Sequence, residues 1–358
     1  MKLFLSGFSA FEYWTALRLG AQPRFKPARA VTLEQCAHTN RDVLAFAQRP
    51  DLGQLSWPID VLIPQTANNL KTSLVIPHRR PVQLPKGAFH SAGRNLYVSS
   101  PELCFLQLAR DVPLHDLALI GFELCGMYAL DLRNDCALVP CSPATTKTKL
   151  RKFLESSHGA TGIKQALRAA RLVLDNSRSP MESKVALLLS ANSATGGFGL
   201  PAPELNTELV MPVRACSPKA ANATTSVLRA SQTRACDLLW REHGVAIEYD
   251  SSAHHEGKEN IDRDARRRNQ LVSNGLAILT ITKQQARDFF AMESVASDAR
   301  ELLGRRARPR SRDARVRQWK LHRTLFGTSE SPALRVRARR QPLPHLESAS
   351  KKAPSADS

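Results

Sequence analysis

Short apolar runs separated by polar turns characterise the second half of the chain. Cys236–Trp240 and Val245–Tyr249 flank the polar segment Arg241–Gly244, which predicts two β-strands joined by a hairpin turn. The apolar run Leu276–Ile281 predicts a further strand, and Lys258–Ser273 before it predicts a helix. The pattern therefore predicts a hairpin followed by a helix and a third strand.

The first half of the chain has a mixed pattern. β-rich runs bounded by Pro, Gly and Asn predict a small sheet from Val61–Ile63, Leu74–Ile76 and Leu96–Val98. A capping box at Ser9–Glu12 predicts the start of one helix, and Pro101, suited to the first position of a helix, predicts another. These elements predict a small α+β domain.

Length and composition divide the chain into four parts. At 358 residues it has room for two domains, each with its own core. We predict an N-terminal α+β domain of unknown role over 1–141, a linker with an amphipathic helix over 142–176, a second domain over 177–303, and a basic, largely disordered tail over 304–358.

Positive charge dominates the composition. Lys and Arg number 51 against 32 Asp and Glu, which gives a formal net charge of +19. Such an excess favours a polyanionic partner, most simply a nucleic acid, because contacts with phosphates release counterions. A solvated basic tail without a specific partner is the alternative that composition leaves open.

Cysteine usage and hydropathy bear on the compartment. The seven cysteines are odd in number and irregular in spacing, which argues against a disulfide framework and favours free thiols in a reducing compartment. No apolar stretch is long enough to span a bilayer. We therefore predict a cytoplasmic protein without a membrane partner, in an oligomeric state that the sequence does not reveal.

Three acidic residues fall at the predicted hairpin. Glu248 and Asp250 project to the same face of one strand, because alternate residues of a strand share a face. Asp237 lies on the partner strand, within reach across the ladder. Clustered carboxylates repel one another unless a proton or cation is bound, and hard divalent ions prefer oxygen ligands. These residues predict a metal site, although each carboxylate taken singly is typical of a strand surface.

The ordered motifs D-L-L-W, I-E-Y-D, H-H, D-A-R-R-R-N and G-L-A-I-L-T resemble the very-short-patch-repair-like endonuclease domains of the PD-(D/E)XK nuclease superfamily. The resemblance covers Ser177 to about Phe290. It implies a mixed α/β fold with a restriction-endonuclease-like α-β-β-β-α-β core. In that core a helix beginning near Ser179 comes first, and Asn206–Val213 supplies the first strand.

The resemblance also implies roles for individual residues. Glu182 would be the acid on the first helix, although it equally fits a capping box with the serine three residues before it. His255, or its neighbour His254, would act as general base or protonate the leaving oxygen. Arg267 would hold a phosphate. The position that the superfamily name gives to Lys is Asp250 here, which leaves the general base unassigned.

The predicted function is that of a Mg²⁺-dependent endonuclease of DNA in defence or mobile-element biology, with Mn²⁺ as an alternative metal and RNA as an alternative substrate. The competing hypothesis is a catalytically inactive nucleic-acid-binding regulator of antitoxin type. The N-terminal half, around Ser100-Pro101-Glu102, resembles proteins related to abortive-infection antitoxins. The basic residues predicted to contact nucleic acid are Arg266, Arg268, Arg305, Arg306 and Arg308.

Overall fold

The chain divides into two compact units. In a computed structural model, described residues are 1–332 except 21–25, 29–32, 34–35, 38–39, 48, 54, 68–73, 81–85, 133, 135, 213–230, 251–274, 307–310 and 328–331. Unit 1 is Met1–Val173 with Glu330–Ser358, and unit 2 is Leu174–Ser329. Both contain helices and sheets, so the mixed α+β class predicted from the sequence is confirmed.

A mixed six-stranded sheet forms the centre of unit 1. Its strands are β1 (Leu3–Leu5), β2 (Lys26–Pro27), β3 (Ile59–Pro64), β4 (Val75–Arg80), β5 (Phe89–Ser91) and β6 (Leu96–Ser99). They lie in the order β2-β5-β6-β1-β3-β4. The β1–β6 and β3–β4 pairs are parallel and the others antiparallel. The three predicted strand runs are β3, β4 and β6, so the small sheet is confirmed.

The described part of unit 1 also contains six helices and a hairpin. They are α1 (Gly7–Arg18), α2 (Asn40–Ala47), α3 (Pro101–Leu108), α4 (Leu114–Cys125), the hairpin of β7 (Tyr128–Asp131) and β8 (Ala137–Pro140), α5 (Lys147–Glu155) and α6 (Ile163–Leu172). The α6 helix buries a face of alanines and packs against α4. The region 142–176 thus supplies two helices, and nearly all of it belongs to unit 1.

The first helix begins earlier than the capping-box pattern predicts. The N-cap of α1 is Ser6, and Gly7 follows at φ +49°, a left-handed conformation that glycine adopts readily. Glu12, the predicted partner in the capping box, instead accepts a hydrogen bond from the amide of Ser56 at 2.9 Å. The prediction was wrong because a tertiary contact took the glutamate away from the helix start.

Unit 2 is built on a four-stranded sheet. The α7 helix (Pro180–Ser190) precedes β9 (Glu204–Pro212), β10 (Ser231–Trp240), β11 (Val245–Asp250) and β12 (Ala277–Thr282). The strands lie in the order β12-β11-β10-β9, with β11–β12 parallel and the other pairs antiparallel. The predicted helix over 258–273 and the predicted loop over 217–230 lie outside the described residues.

The predicted hairpin is confirmed. The β10 and β11 strands pair from Trp240 with Val245 to Leu238 with Ile247. A single turn of 3-10 helix joins them and ends at Gly244, which has φ +62°. Only a residue that tolerates a left-handed backbone closes this turn without strain.

Part of the predicted basic, largely disordered tail over 304–358 is a helix in unit 2. After α8 (Lys283–Arg287) and α9 (Phe289–Leu302), Arg312–Phe326 forms a fifteen-residue helix, α10. Ala314, Gln318, Leu321 and Leu325 recur at helical spacing and are buried. The arginine content of the segment concealed this stripe. Among the helices that the structure describes, none is both long and apolar enough to cross a membrane.

Candidate carboxylate site

Glu182 lies at the start of α7, where local sequence fixes its position. The N-cap hydroxyl of Ser179 accepts a hydrogen bond from the Glu182 amide at 3.2 Å, as the capping pattern predicts. The return bond differs from the prediction, because Glu182 Oε2 accepts the amide of Arg178 at 2.9 Å rather than that of Ser179. Its Oε1 accepts the Ser179 hydroxyl at 2.9 Å. The glutamate therefore caps the helix and points its carboxylate toward the sheet.

Asn206 joins α7 to the sheet, and sequence reasoning did not select it. Its side-chain amide donates to Glu182 Oε2 at 2.6 Å and to the carbonyl of Asn176 at 3.0 Å. The residue is 8% exposed and has φ +48° within β9. Asn is one of the few non-glycine residues that tolerate this conformation. No sequence pattern distinguishes it from other polar strand residues, so only the fold reveals its role.

Asp237 lies in the middle of this sheet, between the two other acids. The β9–β10 register places it opposite Asn206. The β10–β11 register, continued by one residue from its last pair, places Glu248 opposite it on the other side. Asp237 Oδ2 accepts the backbone amide of Tyr249 at 2.9 Å, which fixes the carboxylate against β11.

The charge of Asp237 acts on the pKa of Glu182. Burial raises the pKa of Glu182 above its usual range, and the negative charge of Asp237 raises it further. Hydrogen bonds from the Arg178 amide, the Asn206 side chain and the Ser179 hydroxyl oppose this rise in pKa. Two carboxylates thus share one partly desolvated region at the junction of α7 and β10.

Glu248 and Asp250 continue the acidic surface along β11. Both are half-buried, and Glu248 Oε1 is shielded from solvent. The pKa of Tyr249 between them is raised by burial, lowered by Arg287 and raised by Asp250. Arg287 of α8 is therefore a cation close to Tyr249, and sequence reasoning missed it. It lies more than thirty residues away in the chain, where no local pattern connects it with β11.

The other predicted site residues are divided between the described residues and the rest. His254, His255, Arg266, Arg267, Arg268 and Arg308 lie outside the residues that the structure describes. Arg305 and Arg306 follow α9, are exposed and line a cavity. Within the described part of the chain, no three His, Cys, Asp or Glu side chains are grouped so that they could hold a metal ion.

The donor chemistry nevertheless fits a divalent metal. Mg²⁺ is usually held by only one or two carboxylates and keeps several of its waters. Asp237 is fixed by a backbone amide. Burial is the main cause of the raised pKa of Glu182, and the negative charge of Asp237 adds to it, so a cation bound between the two would oppose the rise. Comparison of the chain with protein-family models, with curated proteins and with solved structures gives no match.

Proposed function

We propose that this protein is a metal-dependent endonuclease that hydrolyses phosphodiester bonds of DNA. The observation that carries the proposal is the position of Asp237, fixed between Glu182 on one side and Glu248 on the other. The order of α7, β9, β10, β11 and β12 supports it, because the resemblance to the PD-(D/E)XK superfamily implies a helix, three strands, a helix and a strand. The second helix of that order falls outside the described residues.

Asp237 and Glu248, which face each other across β10 and β11, would hold the Mg²⁺ ion, with Mn²⁺ as a substitute. Asp250, the third predicted ligand, is not grouped with them in the described part of the chain. Such an ion, when bound, lowers the pKa of water and neutralises charge on the phosphate. The chain itself contributes position: the Tyr249 amide fixes the Asp237 carboxylate against the neighbouring strand. A ligand fixed in this way loses little conformational entropy when it binds.

Glu182 would orient the site rather than bind the metal directly. Its two oxygens accept hydrogen bonds from Arg178, Ser179 and Asn206, so its own position is fully determined by the protein. Through its negative charge it keeps the region around Asp237 favourable for cations. By resemblance, His255 would transfer the proton and Arg267 would hold the scissile phosphate.

A second candidate function is that of a nucleic-acid-binding regulator without catalytic activity. The same three hydrogen bonds to Glu182 favour it, because a carboxylate that caps a helix and anchors a strand already has a structural role. Such a protein would bind DNA through its basic residues without requiring a divalent metal. Cleavage assays separate the two functions.

The test is the cleavage of supercoiled plasmid, single-stranded DNA and RNA by the full chain with Mg²⁺, Mn²⁺ or EDTA. Asp237→Asn is the decisive variant, because its side-chain carbonyl can still accept the Tyr249 amide while the negative charge is lost. We expect metal-dependent cleavage that falls by about 100-fold or more in the variant. Asp298→Asn, at an exposed position of α9, is the matched control and should cleave at the normal rate.

The outcomes differ clearly for the two functions. Binding without cleavage of every substrate, with either metal, would support the regulator. Cleavage that persists in Asp237→Asn at the normal rate would place the active site elsewhere. Cleavage of RNA alone would keep the chemistry and change the substrate.

A further inference from the structure

Unit 2 contains a cavity of about 980 Å³ that shares no lining residue with the carboxylate site. Its walls are the loop that follows α7, the end of α9 and the first turns of α10. The side chains that matter most are those of four arginines, Arg300, Arg305, Arg306 and Arg317, together with Asn192 and Gln318. A volume of this size is within the range of pockets that hold small organic ligands.

One wall of the cavity is a rigid loop. Gly196 has φ +90°, and a Cβ at that position would come within 2.7 Å of the carbonyl oxygen of Arg317. At Gly197 a Cβ would come within 2.0 Å of the carbonyl oxygen of Ala191. Glycine is therefore required at these two positions, because any side chain there would collide with the backbone at the end of α7 or in α10. The sequence G-G-F-G thus allows the loop to pack closely against both helices.

Side chains of α9 and α10 fasten the same loop through its carbonyl groups. Arg300 donates to Phe198 at 2.6 Å, and Arg317 Nε donates to Ser193 at 3.2 Å. An arginine carries five N–H donors, so the one bond of Arg317 to Ser193 uses a small part of its capacity. The wall, Arg300 and Arg317 are thus held in place by these bonds before any ligand binds.

The cavity concentrates positive charge. None of the described residues that line it is acidic. Within the described residues, Arg305, Arg306 and Arg317 take part in no ion pair, whereas Arg315 on another face of α10 is paired with Glu293 at 2.7 Å. Asp313, in the first turn of α10, is not part of the lining. Guanidinium groups brought together without carboxylates repel one another and favour an anion between them.

We propose that this cavity is a phosphate-binding site that takes a phosphate group of a nucleic acid or of a free nucleotide. Several guanidinium groups around a rigid concave wall match a phosphate, whose oxygens accept paired N–H donors. The inference deepens the proposed function, because it rests on a nucleic-acid partner and assigns one contact of that partner to a defined place. Part of the site comes from the α10 helix, which lies in the arginine-rich segment that composition predicted to be largely disordered.

The test compares two double variants of the full chain that remove the same number of charges. The rim variant, Arg305→Gln/Arg306→Gln, removes the two positive charges at the exposed edge of the cavity. The lysine variant, Lys283→Gln/Lys320→Gln, removes the charges of two exposed lysines that do not line the cavity. Binding of a fluorescein-labelled DNA 20-mer and of ATP is measured by anisotropy and calorimetry in EDTA over a series of salt concentrations. EDTA prevents cleavage, so failure of the nuclease proposal leaves this test unaffected.

We expect the rim variant to bind its phosphate ligand at least about tenfold more weakly than the lysine variant, with a salt slope reduced by about 2. Loss of DNA binding assigns the site to the nucleic-acid backbone, and loss of ATP binding alone assigns it to a free nucleotide. An equal loss in both double variants would overturn the proposal, because it would mean diffuse attraction to the whole basic surface. Unchanged binding of both probes in the rim variant would overturn it as well.

Discussion

In the described part of each unit lies a buried glutamate whose pKa is raised, but the two glutamates, Glu123 and Glu182, have different surroundings. Glu123 in α4 of unit 1 is 4% exposed, and Glu182 in α7 of unit 2 is 8% exposed. Burial is the largest cause of the raised pKa in both. The charge that acts on the pKa differs in sign, since it is that of the arginine Arg18 for Glu123 and that of the carboxylate Asp237 for Glu182.

The partners of Glu123 give it a structural role in unit 1. Its Oε1 accepts the amide of Leu130 at 3.3 Å, and Arg18 lowers its pKa against the effect of burial. The guanidinium of Arg18 is itself committed to the backbone at the end of α4. It donates to the carbonyls of Glu123, Gly126, Tyr128 and Ser142 at 2.9, 2.9, 2.7 and 2.9 Å. Glutamate and arginine together close one corner of unit 1.

Glu182, in contrast, lies close to a negative charge rather than a positive one. Three protein donors fix its oxygens, yet the charge that acts on its pKa is that of another carboxylate. A raised pKa alone therefore does not mark a functional site; like charges held together by the fold are the more informative sign.

The largest expected effect is on DNA cleavage, which should depend on Glu182 and not on Glu123. Glu182→Gln should reduce metal-dependent cleavage by about 1000-fold, roughly 4 kcal/mol, because it removes the charge that favours a cation near Asp237. Glu123→Gln should cleave at the normal rate. The measurement is the initial rate of plasmid nicking, with circular dichroism to check that both variants are folded. Equal rates in the two variants would remove the functional distinction between the glutamates.

A smaller effect concerns stability and pH in unit 1. The pKa of Glu123 rises from its ordinary 4.5 to about 7, so the folded state retains this proton at pH values where the unfolded chain has lost it. The stabilisation is complete below pH 4.5 and is lost as the pH rises through about 7. The difference is on the order of 3 kcal/mol.

Urea unfolding of the full chain at several pH values measures this dependence. Glu123→Gln keeps an acceptor for the Leu130 amide and cannot titrate, so its stability should vary less between pH 4.5 and 7 than that of the unsubstituted protein. Glu204→Gln, at an exposed position facing Arg241, is the control and should change stability by less than about 1 kcal/mol. Parallel pH profiles for Glu123→Gln and the unsubstituted protein would show that Glu123 does not retain its proton.

The smallest expected effect is a change in the pKa of Glu182. Asp237→Asn removes the negative charge that helps to raise the pKa of Glu182, so that pKa should fall in the variant. Carbon-13 NMR of the glutamate carboxyls, titrated with pH, measures the direction of the change. A Glu182 signal that titrates identically in both proteins would mean that the two carboxylates do not interact.

Local pattern was sufficient for the hairpin and for the helix cap. The apolar runs on either side of Arg241–Gly244 predicted β10, β11 and their turn, because alternation and a left-handed glycine are properties of a few adjacent residues. Ser179 was correctly expected to cap α7 for the same reason. The α10 helix was missed because arginines separate its buried apolar residues in the sequence, and only packing within unit 2 selects the helical state.

The sequence by itself determined which acids could be neighbours across one strand pair, and it determined the basic character of the chain. Only the tertiary structure decided that Asn206 connects Glu182 with the sheet, that Arg287 comes close to Tyr249, and that arginines from α9 and α10 surround one cavity. Hydrogen bonds and hydrophobic periodicity within an element depend on residues a few positions apart. Contacts between elements depend on how the whole chain packs, and no short pattern records that packing.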